Sequence, residues 1–338
     1  MAQPIKKNIY IKLDPIKPSK AYDAYWSFAY KRQEIFYKRI GGKNYNLTDD
    51  NVLRKYKFTN VYRACDRTSQ FLIKDVIYSG PQSEKEIFFR IILFKLFNKI
   101  DTWKLLEKEY GCITTEIFNL DKIKKFLDKK MEQGIRLYSN AYMMASGSKE
   151  FKVTRKHHAH LLLIEKMLKD RLYLRISGTR KMKEGFDLLC GYPLIGNFLA
   201  YQYITDINYS TITNYSESEF TIAGPGARDG IKKCFESTGG LSESELIRFM
   251  TDIQEQEFSK LNLDFKYLLG RRMQYIDIQN VFCEVDKYCR VAYPEIKGHS
   301  DRTKIKQLYK PNQSNIEYYY PPKWDINKYL NQVNLYGY

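Results

Sequence analysis

The sequence predicts an all-α protein, and three observations carry that prediction. Apolar residues recur at three- and four-residue spacings, as in Tyr25, Phe28, Ala29 and Phe36, with Arg32 on the same spacing. Helix starts carry capping residues, and Ser83 with Glu86 forms a capping-box pattern ahead of the run IFFRIILFKLF. No strand series, internal repeat or long low-complexity linker interrupts the pattern.

In chain order, residues 1–20 are basic and hold three prolines, so they are expected to form an extended N-terminal arm. The first helix follows from Ala21 and runs out at Gly41-Gly42. Thr48-Asp49-Asp50 is placed to cap the next one. From Lys57 to Gln70, polar and aromatic residues alternate too densely for a plain surface helix. There Asn60, Arg63, Asp66 and Arg67 would share one helical face, either a solvated charged face or the polar lining of a pocket with an arginine paired to Asp66. Ser83–Lys99 is apolar almost all round and is expected to be a buried central helix.

Further helices are expected from Asp101, over Leu120–Met131, Tyr138–Met144, Lys156–Leu172, Lys181–Leu189, Asn197–Ile207, Arg228–Phe235, Ser242–Leu261 and Tyr267–Tyr288. The Ser/Gly break at Ser146–Ser148 suggests that a helical domain over 21–297 divides into two lobes near residue 150. The tail, 298–338, is basic and aromatic and is expected to wrap the domain.

Lys plus Arg is 56 against 39 Asp plus Glu, a net charge of +17 over 338 residues. That excess favours a polyanionic partner, with nucleic acid ahead of an anionic membrane surface. The 29 Tyr and 19 Phe could stack on bases, although most must supply core area. Six scattered cysteines include no CxxC pair, so neither a zinc site nor an iron–sulfur run is expected, and the thiols should be free. His157, His158 and His160 cluster without an acidic partner at helical spacing, so no metal and no cofactor is expected. Neither a signal peptide nor a membrane-spanning run is evident, which points to a cytoplasmic protein.

Two turns stand out between Tyr192 and Phe235. Tyr192-Pro193-Leu194-Ile195-Gly196 and Ala223-Gly224-Pro225-Gly226-Ala227 each open a helix, with acidic and aromatic residues between them. A small-residue turn presents unpaired backbone N–H groups at a helix start and favours an anion, here a phosphate.

Tyr192 to Ala200 resembles the hairpin of helix-hairpin-helix DNA glycosylases, with Leu194 in place of the first hairpin glycine. Phe58 to Arg63, Phe198 to Gln202 with Asp206, Ala223 to Ala227, and Phe282-Cys283-Glu284 with Lys287-Tyr288 together resemble one family. It is the α-glutamyl/putrescinyl-thymine pyrophosphorylase group, also labelled the helical domain of 5-hydroxymethyl-deoxyuridine DNA kinases.

That resemblance implies a glycosylase-like helical bundle that binds double-stranded DNA with modified bases as a monomer. It implies a DNA glycosylase that flips out and hydrolytically excises a hypermodified base, as in anti-phage defence. A carboxylate would stabilise the charge that builds on the sugar, and the candidates are Asp206, Glu217 and Glu219. Phe198 stands where bifunctional relatives carry lysine, so a monofunctional enzyme leaving an abasic site is expected. Asn60, Arg63, Asp66, Tyr201 and Gln202 are candidates for the base pocket. Pro193, Gly196, Asn197, Gly224, Gly226 and Arg228 are candidates for gripping DNA. Two other readings stay open: a pyrophosphorylase or transferase that builds a hypermodified thymine, and a non-enzymatic DNA-binding module. No GxxxxGK[ST] loop occurs, which disfavours a self-contained nucleotide kinase.

Overall fold

A computed structural model of the chain describes residues 14–43, 45–139, 144–311 and 316–336, with side chains to 331. A three-residue strand β1 (Ile16–Pro18) leads into α1 (Tyr22–Ile40) and α2 (Asn51–Lys55). Next come α3 (Arg67–Phe71), a π-type turn over Leu72–Ile77, α4 (Glu84–Phe97), α5 (Ile100–Tyr110) and α6 (Leu120–Glu132). They are followed by α7 (Lys156–Lys169), α8 (Leu172–Ser177), α9 (Met182–Cys190) and α10 (Asn197–Ile207). The chain continues through α11 (Pro225–Cys234), β2 (Phe235–Thr238), α12 (Glu243–Asp252), α13 (Gln254–Lys260) and α14 (Tyr275–Ala292). The protein is all-α: among the described residues its sheet is one antiparallel pair, with Ile16 opposite Thr238. No helix among them is long and apolar enough to cross a membrane.

Several boundaries follow from caps visible in the sequence. Gly41 ends α1, and Asp50 caps α2 by accepting from the N–H groups of Val52 and Leu53 at 3.0 Å each. Ser83 caps α4, whose residues Ile87–Phe97 are all buried. Other expected helices are broken. Arg171 takes a left-handed φ of 49° between α7, which ends at Lys169 rather than at the expected Leu172, and the short α8 that follows. Ser242–Leu261 divides at Ile253. Tyr267–Gln274 is a turn, with Leu269 and Gly270 at φ 50° and 82°, so α14 starts only at Tyr275. Arg63 sits in a 3-10 turn and Asp66 precedes α3, so Asn60, Arg63, Asp66 and Arg67 do not share one helical face. Of the expected Tyr138–Met144 helix, 138, 139 and 144 are not helical and 140–143 lie outside the described residues.

The described residues fall into two compact units. The first takes those of 1–63, 221–313 and 331–338, and the second those of 64–220 and 314–330. In the first, α14 is the central element, and α11 packs along it with unusual closeness. A Cβ added to Gly230 would stand 2.0 Å from the Phe282 carbonyl oxygen, and one added to Gly226 would stand 2.3 Å from Cys283 Sγ. The backbone contact requires glycine at 230, whereas at 226 the Cys283 thiol would have to turn aside. In the second, α4 runs through the core. Its buried Arg90 donates from Nε to the Val76 carbonyl (2.7 Å) and from Nη2 to that of Ile77 (3.2 Å), satisfying oxygens at the end of the π-type turn.

Candidate nucleotide-binding site

Within the first unit, residues far apart in sequence converge on one face of α14. Asp277, Asn280, Glu284 and Lys287 follow each other at three- and four-residue spacings and all meet the segment 58–63. The Arg63 N–H donates to Asp277 Oδ1 (3.0 Å), and Asn280 Nδ2 donates to the Asn60 carbonyl (2.7 Å). The Thr59 N–H donates to Glu284 Oε2 (2.8 Å), which also pairs with Lys287 Nζ (2.7 Å). Lys287 Nζ in turn lies 4.7 Å from the Phe58 ring centroid. Side chains of α14 thus engage the Thr59 and Arg63 N–H groups and the Asn60 carbonyl, which holds the segment in place.

Phe58, at the start of this segment, also lines a cavity of about 200 Å³. On α1, Arg32, Ile35 and Arg39 share a face and line it. Loop 45–49, Leu53 and Arg54 of α2, and Tyr56 and Phe58 complete most of the rest. Tyr309 is brought in from the tail, since the Lys57 N–H donates to the Gln307 carbonyl (3.1 Å) and the Tyr309 N–H to that of Lys55 (3.0 Å). Arg32 Nε is held by the Thr59 carbonyl at 2.9 Å, fixing the side chain on the cavity wall. Asp50 anchors the floor of the loop by accepting from Lys31 Nζ (2.9 Å) and Tyr288 Oη (2.8 Å). Burial raises the Asp50 pKa, but hydrogen bonds from the Leu53 N–H, Lys31 and Tyr288 outweigh it, and the net shift is downward. The lining holds three arginines against one carboxylate, Asp49, together with the rings of Tyr45, Tyr56, Phe58 and Tyr309. Guanidinium forks bind phosphates bidentately, and aromatic faces stack on bases.

The sequence-predicted residues distribute differently. Asn60 and Arg63 lie in the locked segment of the first unit, whereas Asp66, Tyr201 and Gln202 belong to the second. Tyr201 is 1% exposed and edge-on to Phe220, at 6.0 Å and 80°, and Gln202 is also buried. Asp206 is fully buried on α10, and its Oδ2 is 3.1 Å from Lys95 Nζ of α4. That cation explains how an aspartate persists near a helix C-terminus. Glu217 accepts from Trp324 Nε1 (2.8 Å), and Glu219 accepts from the Met182 N–H at the start of α9 (2.7 Å).

Gly196 and Asn197 are exposed where α10 begins, with Pro193 half-buried before them. Leu194, where the hairpin motif has glycine, takes the left-handed φ of 67° that glycine favours, and its side chain packs over Gly147. Gly224 caps α11, and Gly226 faces Cys283. Arg228 is exposed, 3.9 Å from Glu243. The next residue, buried Asp229, accepts from the Ser300 N–H (2.9 Å) and Arg302 Nη2 (2.6 Å). These bonds, with that of the Ser300 hydroxyl, overcome burial and lower the Asp229 pKa to about 2.

Sequence reasoning missed Arg32, Arg39, Arg54 and Tyr309 of the cavity. Only the spacing of the two arginines on α1 gave any signal.

Residues 19–298 match the family described as "5-hmdU DNA kinase, helical domain". The chain belongs to this family. It is 26% identical over 301 residues to the 5-hmdU DNA kinase of Bacillus phage SP10, covering 83% of this chain and 47% of that protein. It thus spans about half the length of this curated relative. No solved structure matches it. These matches correct the expectation of a DNA glycosylase. The named relative is a kinase, a phosphotransferase rather than a glycosylase, so the reading as a base-excising hydrolase is withdrawn.

Proposed function

We propose that this chain is the DNA-handling part of a system that phosphorylates 5-hydroxymethyl-deoxyuridine in DNA, and that the arginine–aromatic cavity of the first unit receives the modified nucleotide. The cavity is the observation that carries the reading: three arginines and four aromatic rings face one space, beside the segment that α14 locks in place. The family match and the net charge of +17 support it.

The chemistry differs from base excision in one respect. The C5 substituent of a thymine-like base projects into the major groove, so the hydroxymethyl oxygen is reachable without breaking the glycosidic bond. Phosphoryl transfer to that oxygen is mostly positioning and charge stabilisation. In this reading the cavity supplies positioning: rings hold the base, and arginines hold its flanking phosphates. No GxxxxGK[ST] loop occurs in the 338 residues, so a phosphoryl donor is not held here by that device.

The test compares two duplexes that differ only in a single 5-hydroxymethyl-deoxyuridine or thymidine. Fluorescence anisotropy should give tighter binding to the modified duplex, and Tyr56→Ala should erase the preference. Adding labelled ATP then asks whether phosphate appears on the modified base. Equal binding of both duplexes, unchanged in Tyr56→Ala, would sink the proposal.

A further inference from the structure

In the second unit, α6 brings a carboxylate to the histidines at the start of α7. Asp128 Oδ1 lies 2.7 Å from His157 Nε2 and 3.0 Å from His158 Nε2, and Oδ2 lies 3.1 Å from the latter. All three donor atoms fall within 4.8 Å of one another. The acidic partner missing at helical spacing is supplied by a second helix, about thirty residues away. We propose that Asp128, His157 and His158 form a binding site for a divalent transition ion of the zinc type.

The ligand chemistry fits that class, since two imidazoles and one carboxylate suit a borderline ion better than the all-oxygen sets of magnesium or calcium. Around an ion bound at about 2.0–2.1 Å, tetrahedral ligand atoms stand roughly 3.3 Å apart. The aspartate–histidine spacings are a few tenths of an ångström shorter, at hydrogen-bond distance, and would lengthen around an ion. Asp128 is 24% and His158 20% exposed, so the site is reachable from solvent. It also borders a cavity of about 580 Å³ whose wall includes Arg136, Arg155, Lys156 and His157, a lining suited to an anionic ligand. Three protein ligands leave coordination positions for water or for an oxygen of such an anion.

Two features set the affinity below that of a closed structural site. Arg155 Nη1 competes for Asp128 Oδ1 at 2.8 Å, and its Nη2 reaches Glu132 Oε1 at 3.0 Å. The buried His157 Nδ1 meets no hydrogen-bond partner among the described residues, so the ring lacks the supporting acceptor that raises metal affinity by about 10–100-fold.

The experiment titrates the chelator-treated 338-residue chain with Co2+, followed by visible absorption, and with Zn2+, followed by calorimetry. One equivalent should bind, with at least tenfold loss in Asp128→Asn and in His158→Ala, both checked for folding by circular dichroism. Arg155→Ala should bind severalfold more tightly, because it frees the carboxylate oxygen. The proposal is overturned by any of three results: no saturable binding of one equivalent, unchanged affinity in well-folded Asp128→Asn and His158→Ala, or no gain in Arg155→Ala.

Discussion

At the scale of single residues, the second unit holds polar groups whose protonation is set by burial. His160 is fully buried, its Nδ1 is 3.0 Å from the Tyr138 hydroxyl, and its Nε2 is 2.9 Å from the Ala145 carbonyl. Both contacts suit the neutral ring, with Nε2–H donating to the carbonyl and the hydroxyl donating to Nδ1. Burial is the main cause that lowers its pKa to about 4. The unfolded chain binds a proton near pH 6.5 that the folded chain takes up only near 4, so the stability this residue contributes is complete above pH 6.5 and is lost as pH falls toward 4. The full effect is on the order of 3 kcal/mol. Urea midpoints should therefore drop between pH 6.5 and 4, and the drop should shrink in His160→Gln. The Lys95–Asp206 pair makes a separate prediction. Lys95→Met alone leaves a carboxylate buried against an apolar side chain and should cost about 3–5 kcal/mol, while the double variant with Asp206→Leu should recover most of that loss. Chemical denaturation of the three proteins reads the difference.

At the scale of elements, the contact of α11 with α14 gives the sharpest expectation. Gly226, in the turn expected to favour a phosphate, and Gly230 lie one helical turn apart against Cys283 and Phe282. Gly230→Ala would push a methyl group into a backbone carbonyl, which cannot rotate away as a side chain does. Overpacking of this kind costs about 1–3 kcal/mol, and the backbone partner puts this case at the upper end. A thermal melt should show the loss, whereas Gly196→Ala, with no atom within 4 Å of the added Cβ, should leave packing intact. The comparison also marks what could be read from sequence. Helices such as α4, α6, α9 and α10 were legible because their periodicity and caps are local. The break at Ile253 was not, since apolar spacing continues through it. Nor was the locking of Thr59 by Glu284 across 225 residues, or the approach of Asp128 to His157. Those contacts depend on which helix faces pack, and spacing along one segment carries no information about that.

At the scale of the whole molecule, the proposed DNA binding would draw separable contributions from charge and cavity. With a net charge of +17, nonspecific attraction to the phosphate backbone should dominate affinity. Contacts to about six phosphates would lower affinity by roughly 10³-fold between about 50 and 200 mM salt. If the cavity arginines meet phosphates, Arg54→Ala should weaken modified and unmodified duplexes alike and reduce the slope of log K against log salt by about 1. The rings of Tyr56 and Tyr309 carry no charge, so replacing them should leave the slope unchanged and remove only the preference for the modified base. Anisotropy titrations at four or five salt concentrations separate the two effects. A salt slope that drops in Tyr56→Ala, or one that stays fixed in Arg54→Ala, would mean that the cavity does not divide its work between rings and arginines in this way.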